Sequence, residues 1–220
     1  MRRICRMEMK NGIYALRKSV IWLFAVLMLT GCAKSGQEPQ PEKEDSFTAA
    51  EDTIIVTREN KLIGYNCEAF DESRYSFTDF EEMLNSEVED YNSQMGGGGI
   101  EVKECTLADG IAQISLSYTD AADYEKFNGV QFSCGQTPEE GARRFALPAN
   151  LTLVDAHDPT RTITLGELDD GQDYRMLVTD DDSNIRIHGS DIYYIGEGDT
   201  LMGDGDVKTA DDAALHVIIY

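Results

Sequence analysis

Asp180, Asp182 and Asn184 stand at alternate positions in an acid-rich run. Oxygen side chains so spaced fill the first, third and fifth places of a twelve-residue calcium loop, and Asp191 falls at the twelfth. The sixth place, where such a loop turns sharply and needs glycine, holds Ile185. Ile185, Arg186 and Ile187 alternate as a strand does, so a solvated hairpin turn is the better reading. His157, His188 and His216 show no HxxxH or HxH spacing, and a metal site on them would rest on tertiary convergence alone. The chain has no Gly-x-Ser-x-Gly elbow, no Ser-x-x-Lys and no cysteine in a recognisable nucleophile context, so covalent catalysis has no support. Gly96 to Gly99 lead into strand-like Ile100-Glu101-Val102, as a flexible connector does and a phosphate loop does not. With 41 Asp and Glu residues, some carboxylate pair suited to glycoside hydrolysis can always be drawn, and spacing singles out none.

A second acidic group, Asp204 and Asp206, lies in Gly203-Asp204-Gly205-Asp206-Val207-Lys208-Thr209-Ala210-Asp211. This stretch resembles the latter part of a dockerin calcium loop, which would imply calcium on Asp204 and Asp206. Thr200 and Met202 stand where further ligands belong, and a dockerin would carry two repeats. A turn before a final strand is the expectation here.

The N-terminus carries the clearest chemistry. Arg2, Arg3, Arg6, Lys10, Arg17 and Lys18, against the single acid Glu8, form the basic flank of a secretory signal. The apolar run Val20 to Leu29 follows, about ten residues where a spanning helix needs roughly twenty. It ends in Leu29-Thr30-Gly31-Cys32, which resembles the lipobox of bacterial lipoproteins. The resemblance implies cleavage after residue 31, diacylglyceryl on the Cys32 thiol, and a chain held on the extracytoplasmic face of the cell membrane. At about 0.8 kcal/mol per buried methylene, two or more acyl chains anchor a protein stably without a spanning helix.

Formal net charge is −22 at pH 7, and removing the basic leader makes the remainder more acidic still. Such a surface repels nucleic acid, whose phosphates need a basic face, and anionic headgroups likewise. Partners besides the membrane reached through the N-terminal lipid should be neutral or cationic envelope ligands or proteins, or divalent ions. Beyond Cys32, the cysteines Cys67, Cys105 and Cys134 are odd in number, so at most one disulfide can form within the chain and one thiol is left over.

These features imply an order along the chain: signal peptide 1–31, lipidated cysteine and disordered polar tether 32–50, a mixed domain 51–146 and a β-rich module 147–220, the last two separate or packed as one unit. A tether of this length reaches roughly 25 Å as a random coil. The predicted class is α+β. Thr53–Thr57 and Leu62–Tyr65 read as a hairpin. Ser76 or Thr78 caps a helix on which Phe77, Phe80, Met83, Leu84, Val88 and Tyr91 share a face and which Gly96 ends. Ile100–Leu107 and Ile111–Tyr118 flank Asp109-Gly110 as a second hairpin. Thr119 or Asp120 caps a short helix, Val130–Cys134 is a strand, and Thr137-Pro138 opens one more helical turn or two. After Leu147 the helical period disappears. Short apolar runs such as Leu151–Val154, Tyr174–Val178, Ile185–His188 and Leu215–Tyr220 predict a small sandwich or barrel-like module.

Asp123-Tyr124, Phe127-Asn128-Gly129 and Val217-Ile218-Ile219-Tyr220 are similar to a group of uncharacterised lipoproteins of Gram-positive, clostridial-type anaerobes. That resemblance implies a shared fold over most of the mature chain and no known activity. The expectation is a non-enzymatic envelope protein that binds or scaffolds. The alternatives are an envelope glycan hydrolase working through paired carboxylates and a calcium-dependent surface binder on Asp180, Asp182, Asn184, Asp204 and Asp206.

Overall fold

The computed structural model describes residues 50–220 except Asp170, Asp204 and Asp212. Cys32, the Leu29-Thr30-Gly31 before it and the tether as far as residue 49 lie outside the described residues.

Strands β1 (Thr53–Val56) and β2 (Leu62–Ala69) pair antiparallel, as their flanking of the polar Arg58–Lys61 predicts. Helix α1 (Phe77–Met95) begins where the Ser76 side chain accepts the Asp79 N–H and ends at Gly96, whose φ of 87° few other residues would adopt. Leu84 and Val88, four residues apart, are its buried positions. β3 (Ile100–Ala108) and β4 (Ile111–Tyr118) form the second hairpin. Asp109 and Gly110 both have positive φ, which a tight two-residue turn requires. Helix α2 (Ala121–Asn128) is capped by Asp120, whose carboxylate accepts the N–H groups of Ala122 and Asp123 at 2.9 Å. After β5 (Phe132–Gln136) comes α3 (Pro138–Phe145), opened by a capping box between Thr137 and Glu140.

The remaining strands are β6 (Thr152–Asp155), β7 (Thr162–Thr164), β8 (Met176–Thr179), β9 (Asn184–Ile187), β10 (Tyr194–Gly196), β11 (Thr200–Gly203), β12 (Asp206–Lys208) and β13 (His216–Ile219). The fold is α+β with a β-rich C-terminal part. One sheet runs β11-β12-β9-β1-β2-β4-β3 and the other β5-β8-β13-β10-β6-β7, and neither closes into a barrel. The strands do not segregate at residue 147: β9 and β12 extend the sheet begun by β1 to β4, while β5 edges the other. β1 explains this mixing. All four of its residues are buried, as in an interior strand, and its second neighbour is the parallel β9.

Register decides which side chains meet between the sheets. Ile54, Leu62, Leu116, Tyr118, Ile185 and Val207 share a core with Phe132, Leu177, Ile195 and Ile218 of the second sheet. The opposite face of that second sheet buries Leu153, Met176, Val178, Val217 and Ile219 beneath Ala142 and Phe145 of α3. α3 approaches β8 closely at Gly141, where a Cβ would run into the Met176 sulfur.

The turn predicted at Gly203–Asp206 is there, closing the β11–β12 hairpin, but the strand it leads into is not the last, since β13 follows. Gly205 has φ 81° and its backbone carbonyl accepts the Ile187 N–H, so β9 and the hairpin touch backbone to backbone. β11 escaped the apolar pattern because Leu201 is its sole partly buried residue. Among the described residues, no helix is long and apolar enough to cross a membrane.

Candidate functional site

Along β2, one face carries Leu62, Gly64, Asn66 and Glu68 in turn, opposite Tyr118, Leu116, Ile114 and Ala112 of β4. The same inward face thus passes from apolar to polar as the strand leaves the core. Asn66 and Glu68 open into a cavity of about 150 Å³. Asp52, one residue before β1, lines it as well. Tyr124 and Asn128 of α2, with Val130, form another wall, and Asp180 to Ser183, the loop from β8 to β9, completes it. Among the described residues that line it, five are carboxylates and none is Lys or Arg.

Most of these acids are held from elsewhere in the fold. The Asp52 carboxylate accepts the Cys67 N–H at 2.8 Å. Asp180 accepts the Gln131 N–H at 2.7 Å. The buried Tyr124 hydroxyl donates to one oxygen of Asp181 at 2.9 Å, while the other oxygen accepts the backbone N–H and hydroxyl of Ser183 at 2.9 and 2.6 Å. The Asp182 carbonyl accepts the Thr209 hydroxyl at 2.7 Å. Burial pushes the Asp52 carboxyl above its usual range, the Cys67 and Asn66 hydrogen bonds oppose this, and the charges of Glu68 and Asp181 reinforce it. Burial, then Asp181, drives the Tyr124 phenol far upward, so this hydroxyl stays a donor. Crowded carboxylates lined on one side by Val130 and a tyrosine ring attract a cation more strongly than the same charges would in open water.

Among the described residues, only two of the calcium candidates are brought together. Asp180 and Asp182 line the cavity, whereas the Asn184 side chain donates to Glu51 at 2.9 Å and Asp206 forms a two-pronged ion pair with Arg186. Asn184, Arg186 and Asp206 share one face of their sheet by register, so β9 carries Asn184 into a strand instead of a ligand loop. Asp204 is outside the described residues, Asp191 is exposed, and among the described residues no three acidic, His or Cys side chains form a metal-holding group.

His157 and His188 are exposed, but His216 is fully buried. Its Nδ1 lies 2.7 Å from the Asp199 Oδ1, which also accepts the Ala210 N–H at 3.0 Å. The other two polar atoms of the pair, His216 Nε2 and Asp199 Oδ2, are buried without a partner. Cys105 and Cys134 are free thiols and, like Cys67, partly buried. Burial lifts the Cys105 thiol to about 11 and the Cys134 thiol to about 12, so both are poor nucleophiles at neutral pH.

Sequence reasoning found Asp180 and Asp182 but missed Asp52, Glu68, Asp181 and Tyr124. The available signal was the break in β2, where an apolar alternation from Leu62 continues as Asn66 and Glu68. No family model matches this chain, and the curated proteins and solved structures searched gave no significant match either.

Proposed function

We propose that this chain is an extracytoplasmic lipoprotein, anchored through lipid on Cys32, whose folded part binds a small cationic group in the acidic cavity and catalyses no reaction. The observation carrying the binding role is the set of five carboxylates lining one cavity with no basic side chain among the described residues. About 150 Å³ suits an ammonium or guanidinium group with a short stem better than a polymer segment.

Two experiments test this. Putrescine titrated calorimetrically into the protein should give saturable heat that weakens with salt. Glu68→Gln and Asp181→Asn should each weaken binding about five- to tenfold, the loss of one near charge being worth about 1 kcal/mol in a partly solvated site. Calcium and a neutral wall oligosaccharide serve as competing probes. No heat and no rise in melting temperature with millimolar putrescine removes the cationic reading, and saturable calcium binding in its place supports the metal alternative. For the anchor, the natural chain should label with radioactive palmitate in a bacterial host and sediment with membranes. Cys32→Ala should lose the label, and a labelled variant refutes the anchor.

A further inference from the structure

The buried histidine and the cavity share a loop. His216 on β13 is paired across the ladder with Thr179, the last residue of β8. The Thr179 hydroxyl accepts the Asp181 N–H at 3.0 Å, fixing the start of the acidic loop. From the other side, Thr209 holds the Asp182 carbonyl, and the adjoining Ala210 N–H is bound by Asp199, the partner of His216. Hydrogen bonds through Asp199 and the Thr209–Ala210 peptide link therefore join the imidazole to the backbone of Asp182, and the strand pairing of His216 with Thr179 leads to the backbone of Asp181.

We infer that the His216–Asp199 pair is a proton-linked brace of this loop, so that a cation entering the cavity expels a proton from His216 and its departure restores one. The inference rests on the cavity binding a cation. The proton concerned is the one on Nε2: Nδ1–H donates to Asp199 in either state, whereas Nε2 has no acceptor among the described residues. Loss of that proton to solvent leaves neutral imidazole with the Asp199 hydrogen bond intact. Among the described residues, Asp199 from the segment after β10 contacts the ring, and the charges of Asp182 and Asp181 from the loop after β8 act on it as well. Burial lowers the imidazole pKa, but the Asp199 hydrogen bond and these charges more than offset it, leaving His216 above 6.5. A bound cation cancels the influence of Asp181 and Asp182, and what favours the charged ring is reduced. By reciprocity, affinity for the cation rises as pH rises through the His216 titration.

The full chain serves for the test, with putrescine as probe because both its amines stay charged below pH 8.5. The ring resonances of His216 should titrate with a midpoint that falls by up to about one unit when putrescine saturates the protein, while those of His157 and His188 stay in place. Affinity should increase up to about tenfold between pH 6 and 8.5, a one-unit displacement being equivalent to tenfold. His216→Gln should flatten that rise. If the variant does not fold, the wild-type resonance titration decides alone. Binding with an unmoved His216 midpoint overturns the brace and leaves the cavity reading standing. Absence of binding at every pH overturns the cavity reading, and the brace falls with it.

Discussion

Replacing Phe132 by alanine should lower the unfolding free energy by about 3–5 kcal/mol, as large-to-small changes at fully buried aromatic positions do. Phe132 has no exposed surface, lies in the core shared by both sheets, and its ring sits 4.9 Å from that of Tyr124 at 57°. Truncation removes a large apolar group from a site bordered by β8, whose backbone it pairs with, and by α2. Urea unfolding followed by circular dichroism measures the loss. The same substitution at Ile111, which is 38% exposed, should cost under about 1 kcal/mol. Equal costs at the two positions would contradict the shared core. Because Tyr124 also holds Asp181, Phe132→Ala should weaken putrescine binding in any fraction that stays folded.

Asp199→Ala should cost about 3 kcal/mol at pH 6, since removing one member of a buried charged pair strands the other. The His216 ring would keep no hydrogen-bond partner among the described residues, and the Ala210 N–H would lose its acceptor. The size of the effect depends on pH in a fixed direction. His216 titrates higher in the folded protein than in the unfolded chain, so its contribution is fully present below the unfolded value of 6.5 and is lost as pH rises through the folded value. The natural protein should therefore lose stability on going from pH 6 to pH 9 more steeply than the variant, and the gap between them should narrow. Parallel stability curves over that range would show that Asp199 does not stabilise the protonated form of His216.

Local chemistry made much of this fold legible. Ser76, Asp120 and Thr137 mark helix starts because their side-chain oxygens satisfy free backbone donors within three residues, information that lies wholly in the local sequence. Asp109-Gly110 marks a hairpin for a similar reason. Partner choice between strands is not local. Nothing within Thr53-Ile54-Ile55-Val56 names Asn184–Ile187 as its parallel neighbour, and Leu201 alone was too little apolar signal to reveal β11. The site was half legible for the same cause. Asp180 and Asp182 stood out as a run, but their approach to Asp52 and Glu68 depends on β9 lying beside β1 and on the polar end of the β2 inward face. His216 looked like one of three scattered histidines, and only its burial against Asp199 distinguishes it.

The parallel pairing of β1 with β9 also bears on how the chain reaches this fold. A nascent chain that has released only β1 to β8 carries β1 with one edge unpaired and β8 without β13 between it and β10. Neither sheet can be finished from the first part of the chain, so the entropy of closing long loops is met late, when β9 and β13 emerge. Until then two apolar strand edges stand open to other chains. Folding should accordingly be slow, nearly all-or-none, and sensitive to C-terminal truncation, with loss of His216 to Tyr220 more damaging than its length suggests because it removes an interior strand.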